Sequence, residues 1–462
     1  MKTTSRKFHD RHDMGEMSLA ILGFASALFV VTATPAFAGM VCPDIGNKKT
    51  AFNLAEGRDG VFFRTNTDFE EFFVRTSETM VSLRAISDAL RVKGTELVFL
   101  PLPSRGIVQQ SKLDDSDEIQ SRYNAPVAEQ EFRHYVAQLQ KHGITTVDVL
   151  KAIDDHQARG NFFFARDHHW TSTGAHLAAI AAAETIKKLP EYPSLSTYNF
   201  ETKAIGSLDY IAPMGHEIQA LCGNAVEPEK ETVWQTTRSA DDASDLLGNA
   251  AETSEPVALV GSSFSATPEF NFAGFLAQET GLDFTNYAEN GAQFISSLAT
   301  LLFSKSFHEK PTPLIVWEAP SYYAVDQTMF QASRQLLAAV YGSCEGKDTI
   351  ESSRPKKIAG ETVLLGAEDL KADHYGDAYL EFAASQAGLN QMTVTVRYRD
   401  GDEDTLTLGG FPRFVDDGTF YLMLNDEFPT PITGVSVNGN FGDVTVTARL
   451  CRVPDQFVKK QG

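Results

Sequence analysis

Two segments of the sequence hold the residue types needed to move a proton and attack a carbonyl. In the first, the apolar run Phe162-Phe163-Phe164 leads into Asp167-His168-His169-Trp170, and Thr171 or Thr173 can N-cap the helix that follows. A carboxylate two residues before an imidazole can hold one ring nitrogen and leave the other facing a cleft. That is the orienter and base of a nucleophilic triad. In the second, an apolar strand, 256–260, runs into Gly261-Ser262-Ser263-Phe264-Ser265. A serine at the carboxyl end of such a strand stands where α/β sheets present their ligands, and the N–H groups of the turn are candidate oxyanion donors. It is not the G-x-S-x-G elbow of the α/β-hydrolases. Alone, each segment also reads as a capped helix start or a polar strand end; together they supply nucleophile, base and orienter.

The elements around these segments alternate. Apolar residues at helical spacing predict helices over 79–90, 131–139, 175–189, 272–280 and 294–303. Short apolar runs predict strands at 96–101, 144–149, 256–260, 283–287 and 313–317. This order predicts an α/β fold with an open, mostly parallel sheet covered on both faces. After Cys344 the pattern changes to β-rich runs at 361–365, 391–398, 405–408, 419–424, 434–437 and 443–448, which predict a β-sandwich with its boundary in 342–358. The stretch 227–253 is polar and acidic and is expected to be an exposed loop.

The chain has 462 residues, 40 Lys+Arg against 61 Asp+Glu, and a formal net charge of -21. With no concentrated run of Lys or Arg, this excludes a general nucleic-acid binder. Lys2, Arg6, Lys7 and Arg11 precede an apolar stretch, 19–31, that ends in Ala36-Phe37-Ala38. A basic start, a short apolar core and an A-x-A site predict a secretory signal peptide, 1–38, cleaved after Ala38. The expected divisions are then 39–343 for the α/β domain and 344–455 for the β-sandwich. Export makes disulfides the natural state of Cys42, Cys222, Cys344 and Cys451. Three pairings are possible; nearest-in-order pairing closes one loop in each half, with roughly 4–5 kcal/mol from each on the chain-entropy model.

Taken in order, Asp167-x-His169-Trp170-Thr171, Val260-Gly261-Ser262-Ser263-Phe264-Ser265, Asn271-Phe272-Ala273-Gly274-Phe275 and a terminal β-domain resemble the periplasmic alginate O-acetyltransferases of the AlgX/AlgJ type, which are SGNH-hydrolase-like enzymes. The resemblance covers most of the chain, both cysteine pairs and a C-terminal carbohydrate-binding module. It implies Ser263 as nucleophile, His169 as base and Asp167 as orienter, with His168 a neighbour without a role. Asn286 to Ala292 resembles the second SGNH block, with Gly291 as an oxyanion donor and Ala288 in place of a glycine. At the third block the usual asparagine is missing and Glu318 stands near it; an ionised glutamate cannot donate to an oxyanion. Tyr322 matches a substrate-contacting tyrosine. The implied partners are alginate or a related acidic polysaccharide, an acetyl donor from a membrane acyltransferase system and proteins of a polysaccharide export complex. No metal or other cofactor is indicated.

In the β-domain, Arg397, Tyr398 and Arg399 share one strand, with Lys371, Arg413 and Tyr421 on neighbouring segments. Guanidinium forks match carboxylates and aromatic faces stack on sugars, as a uronate chain requires. The groove between Ser263 and Arg397/Arg399 is therefore expected to be neutral or positive, with the excess acid on loops and outer faces. A polysaccharide acetylesterase would use the same triad, and a non-catalytic component of an export complex would use the β-domain alone.

Overall fold

β1 (Leu54–Glu56) and β2 (Phe62–Arg64) form a short antiparallel hairpin. The computed structural model that contains it describes residues 41–458 except 43, 74, 224–226, 240–255, 324, 347, 371–376, 426 and 429. The expected signal peptide, Lys371 and the stretch 240–253 lie outside the described residues. After the hairpin, α1 (Ser77–Val92) starts at Thr76, whose hydroxyl accepts the Thr79 N–H at 3.2 Å. It buries Met80, Leu83, Ile86 and Leu90 at helical spacing and stops before Gly94, at φ 85°.

β3 (Glu96–Leu102) is buried along its whole length, as a central parallel strand must be. α2 (Arg105–Val108) and α3 (Ala125–Lys141) follow. The expected strand 144–149 shortens to β4 (Thr145–Thr146), because the Asp148 carboxylate accepts the Lys151 N–H at 2.9 Å and opens α4 (Val149–Asp155). α5 (Ser172–Ile186) is rich in alanine; a Cβ on its Gly174 would lie 2.2 Å from the Phe162 carbonyl, so the helix sits directly on the segment that leads to Asp167.

β5 (Phe200–Tyr210), α6 (Pro213–Cys222) and β6 (Glu229–Arg238) come next. β5 and β6 pair antiparallel from Phe200 opposite Arg238 to Tyr210 opposite Glu229. The first part of the expected loop 227–253 is therefore a strand. Its acids alternate along a ribbon and bind neighbouring backbone, so polarity there does not mean solvation.

β7 (Val257–Val260), α7 (Ser263–Ala266), α8 (Phe272–Thr280), β8 (Phe284–Asn286), α9 (Ser296–Phe303), α10 (Lys305–Glu309), β9 (Leu314–Pro320) and α11 (Val325–Tyr341) complete the α/β half. The sheet has the order β4-β3-β9-β7-β8 and every pairing is parallel. Ser263 thus follows the carboxyl end of an internal strand.

The remaining strands are β10 (Thr349–Ser352), β11 (Lys356–Leu365), β12 (Ala378–Ala384), β13 (Gln391–Tyr398), β14 (Glu403–Gly409), β15 (Thr419–Met423) and β16 (Ile432–Arg452). The two runs expected at 434–437 and 443–448 are one 21-residue strand, β16. Its first part pairs with β13 and β11 and its second with β12, β10 and the start of β11, all antiparallel, so it is the central strand of the sandwich-like unit. This half docks on α11, where Arg334 pairs with Asp404 at 2.6 Å and Gln335 accepts the Gly409 N–H at 2.8 Å. The disulfides are Cys42–Cys222 and Cys344–Cys451. Among the described residues no helix is long and apolar enough to cross a membrane.

Candidate active site

The turn after β7 is shaped by what lies beneath it. A Cβ on Gly261 would come within 2.5 Å of the Glu318 carboxylate, so only glycine fits there. Its N–H donates to Ser297 Oγ at 2.8 Å. Ser262 N-caps the single turn of α7 and Ser263 is its first residue, half-buried. No hydrogen bond to the Ser263 N–H is made among the described residues, which leaves it free to meet a developing oxyanion.

His169 and Asp167 approach from a loop 94 positions earlier. His169 Nε2 is 2.7 Å from Ser263 Oγ, and Nδ1 is 2.5 Å from Asp167 Oδ1, which also accepts the His169 N–H at 3.0 Å. Both residues are buried. Burial opposes the Asp167 charge, but the hydrogen bond and charge of His169, the nearby His168 and the His169 amide outweigh it and hold the carboxyl well below its usual range. The structure therefore joins Asp167, His169 and Ser263 in one hydrogen-bonded row. Trp170 locks the two segments together, its indole N–H donating to the Phe264 carbonyl at 3.0 Å.

The His loop is braced by residues that sequence reasoning passed over. Arg105, fully buried, donates to the carbonyls of Phe62, Phe164 and Ala165, the last two at 2.8 and 3.3 Å, and lies 3.4 Å from Asp68. Glu229 on β6 accepts the N–H groups of Ala165 and Arg166, each at 2.8 Å. Glu231, two residues on, accepts the Ser172 N–H at 3.1 Å and its hydroxyl. The signal available was the i, i+2 spacing of the two glutamates and one arginine within an apolar stretch.

Glu318 takes a different place from the one its block suggested. It is fully buried, accepts Ser262 N–H at 2.8 Å and receives the hydroxyls of Ser262 and Ser265 at 3.0 Å. It holds the turn from below, and burial pushes its carboxyl up to about 7. Gly291, at φ 76°, sits one residue after Asn290, whose side-chain oxygen is 3.1 Å from Thr267 Oγ1; the same hydroxyl bonds the Ser263 carbonyl at 2.7 Å. That places its loop beside the serine turn. Tyr322 lies under the Arg64 guanidinium, 4.5 Å from ring centre, and against Tyr323. No hydrogen bond or ring contact links it to Ser263 or His169 among the described residues.

The His168 ring lies tilted against His169, 3.9 Å between ring centres, and burial, with the His169 and Arg64 charges, pushes its pKa well down. Asp167, His168 and His169 bring potential ligand atoms within 4.8 Å of one another. Both His169 nitrogens are already committed, so an ion there would have to break the row.

The expected sugar platform of the β half is corrected. Tyr398 points inward, 4 % exposed, with its ring stacked on Phe428, and Tyr421 is also buried. Neither offers a face to a sugar. Arg397 is held by Glu361 and by Glu403 at 2.7 Å, so its charge is neutralised locally. Arg399 lies just beyond β13, with its N–H on the Pro431 carbonyl at 2.9 Å.

A parallel sheet with a serine on the turn after an internal strand, and an Asp-x-His loop closing on it from another segment, defines an SGNH-hydrolase-like domain. Residues 54–321 match the family model described as "SGNH hydrolase-like domain, acetyltransferase AlgX", and the chain belongs to this family. Alginate biosynthesis protein AlgX of Pseudomonas aeruginosa is 31% identical over 80% of this chain and 77% of its own length. Probable alginate O-acetylase AlgJ of Azotobacter vinelandii is 30% identical over 62% of this chain and 76% of its own. A solved structure of Pseudomonas aeruginosa AlgX superimposes with a TM-score of 0.75 at 28% identity, covering 87% of this chain and 95% of that one.

Proposed function

We propose that this protein is an exported O-acetyltransferase that places acetyl groups on alginate or a related acidic exopolysaccharide through Asp167, His169 and Ser263. The observation that carries the reading is the continuous row from Asp167 Oδ1 through both His169 nitrogens to Ser263 Oγ. Asp167 keeps the proton on Nδ1, which leaves Nε2 a lone pair for the serine hydroxyl proton. Ser263 Oγ then attacks the acetyl carbonyl of the donor, and the N–H groups of Ser263 and Gly291 receive the oxyanion. Collapse expels the donor's leaving group with the proton from His169. A sugar hydroxyl next gives its proton to Nε2 and attacks the acetyl-serine; collapse forms the sugar ester and breaks the bond to Ser263 Oγ, which takes that proton back from His169. Tyr322 is assigned to the substrate side of the site.

The acetyl donor is assigned to a membrane acyltransferase system, and the polymer to an export complex that this protein serves in the periplasm. Relatives named for alginate biosynthesis and O-acetylation support the polysaccharide and the acetyl transfer that these two assignments presuppose. The test is acetyl transfer from an activated ester to oligomannuronate. Ser263→Ala should lower the rate about 10³-fold or more, since nucleophile and base act as a unit. Equal rates in the two proteins would remove Ser263 from the mechanism.

A further inference from the structure

The β half sends one loop toward the serine turn. It connects β14 to β15 and is braced throughout. Phe414 is buried against Phe303, 5.3 Å between ring centres. The buried Asp416 carboxylate accepts the N–H groups of Gly388, Asn390 and Gly418 at 2.6 to 3.1 Å. Val415 N–H donates to Thr300 Oγ1 at 3.2 Å, and Asp417 accepts the Lys305 N–H at 2.6 Å, which ties the loop to α9 and α10. At its crest Arg413 is held at φ 65°, a conformation a non-glycine residue adopts at a cost of order 1 kcal/mol. Its Nε lies 3.8 Å from where a Cβ on Gly291 would be.

Gly291 belongs to the loop that Thr267 joins to the Ser263 carbonyl. Arg413 is exposed, and no carboxylate pairs with it among the described residues. Arg397 and Arg334, by contrast, are each bound to acids, and Arg64 is bound to Asp68. A rigid loop therefore carries an uncompensated guanidinium to the rim of the reacting centre in a strongly acidic protein.

We propose that Arg413 is the uronate-recognition residue of the acceptor site: its fork binds the carboxylate of a sugar unit whose chain passes Gly291 on its way to Ser263. This rests on the acceptor being an acidic glycan, as proposed above. A planar guanidinium pairs two parallel N–H groups with a carboxylate, which selects a uronate over the same sugar with its carboxyl reduced to a primary alcohol. Preorganisation by the braced loop strengthens the contact, because no loop ordering has to accompany binding.

The experiment uses the full chain with Arg413→Ala and Arg413→Lys. Binding of oligomannuronate and of its carboxyl-reduced analogue is measured by titration calorimetry, which needs no turnover, and hydrolysis of a small neutral acetyl ester is measured alongside. Arg413→Ala should weaken oligomannuronate about tenfold or more and leave the reduced analogue and ester hydrolysis unchanged. Arg413→Lys should recover only part of the loss. Equal oligomannuronate affinity in wild type and Arg413→Ala, or no binding by either, overturns the assignment. A tenfold loss of affinity in a protein that transfers no acetyl keeps Arg413 and overturns the transferase reading alone.

Discussion

The loop that carries Asp167 and His169 and the strand that carries Arg397 both concentrate charged side chains, and they spend them on different partners. Around the His loop, Arg105, Glu229 and Glu231 are directed at backbone carbonyls and amides. Each such bond fixes where the chain goes. On the β13 face, Arg397 is directed at Glu361 and Glu403, side chains that are half-exposed. Those bonds neutralise charge and leave the backbone to its own ladder. Charge that braces backbone builds a site; charge paired at a surface mostly satisfies itself.

The contrast can be broken most severely at Arg105. Arg105→Met would strand the buried carbonyls of Phe62 and Phe164, and we expect a loss of about 3–5 kcal/mol in urea unfolding together with lost ester hydrolysis. Retained stability and activity would mean that the loop holds its course without the clamp. Next in size is Glu318. Its carboxyl rises from 4.5 to about 7 on folding, so between those pH values the folded protein keeps a proton that the unfolded chain has released. Stability should therefore fall as pH rises through that window, by up to about 3 kcal/mol, and Glu318→Gln should flatten the fall. Parallel pH profiles for the two proteins would show that Glu318 does not titrate there. The smallest effect belongs to Arg397: Arg397→Ala should leave the melting temperature within about 2 °C and ester hydrolysis unchanged. A large drop in either would place this arginine with the braces.

The same contrast explains what the sequence allowed to be read. α1, β3, β7 and β9 were legible because each buries apolar residues at its own period, and Gly261 to Ser265, alone an ordinary polar strand end, stood out only beside the Asp-x-His block. β6 was not legible. It is a two-stranded ribbon whose polar residues outnumber its apolar ones, and its glutamates are matched to amides of a loop some 60 residues away. Glu318 was visible as a departure at the third block, but only the close approach of Gly261 and the hydrogen bonds from Ser262 and Ser265 reveal that it supports the turn. Tyr398 alternated correctly with Arg397, and alternation could not say which face was the inner one. That depends on Phe428, a long way along the chain.

The indole of Trp170 bridges the His loop and the serine turn, and the chain's other tryptophans, Trp234 and Trp317, also lie before residue 320. Intrinsic tryptophan emission is therefore an optical signal from the α/β half alone. Excited at 295 nm, the protein would report the parting of its two reacting segments, whereas far-ultraviolet dichroism sums the backbone of both halves, so a dichroism change without an emission change would belong to the β half.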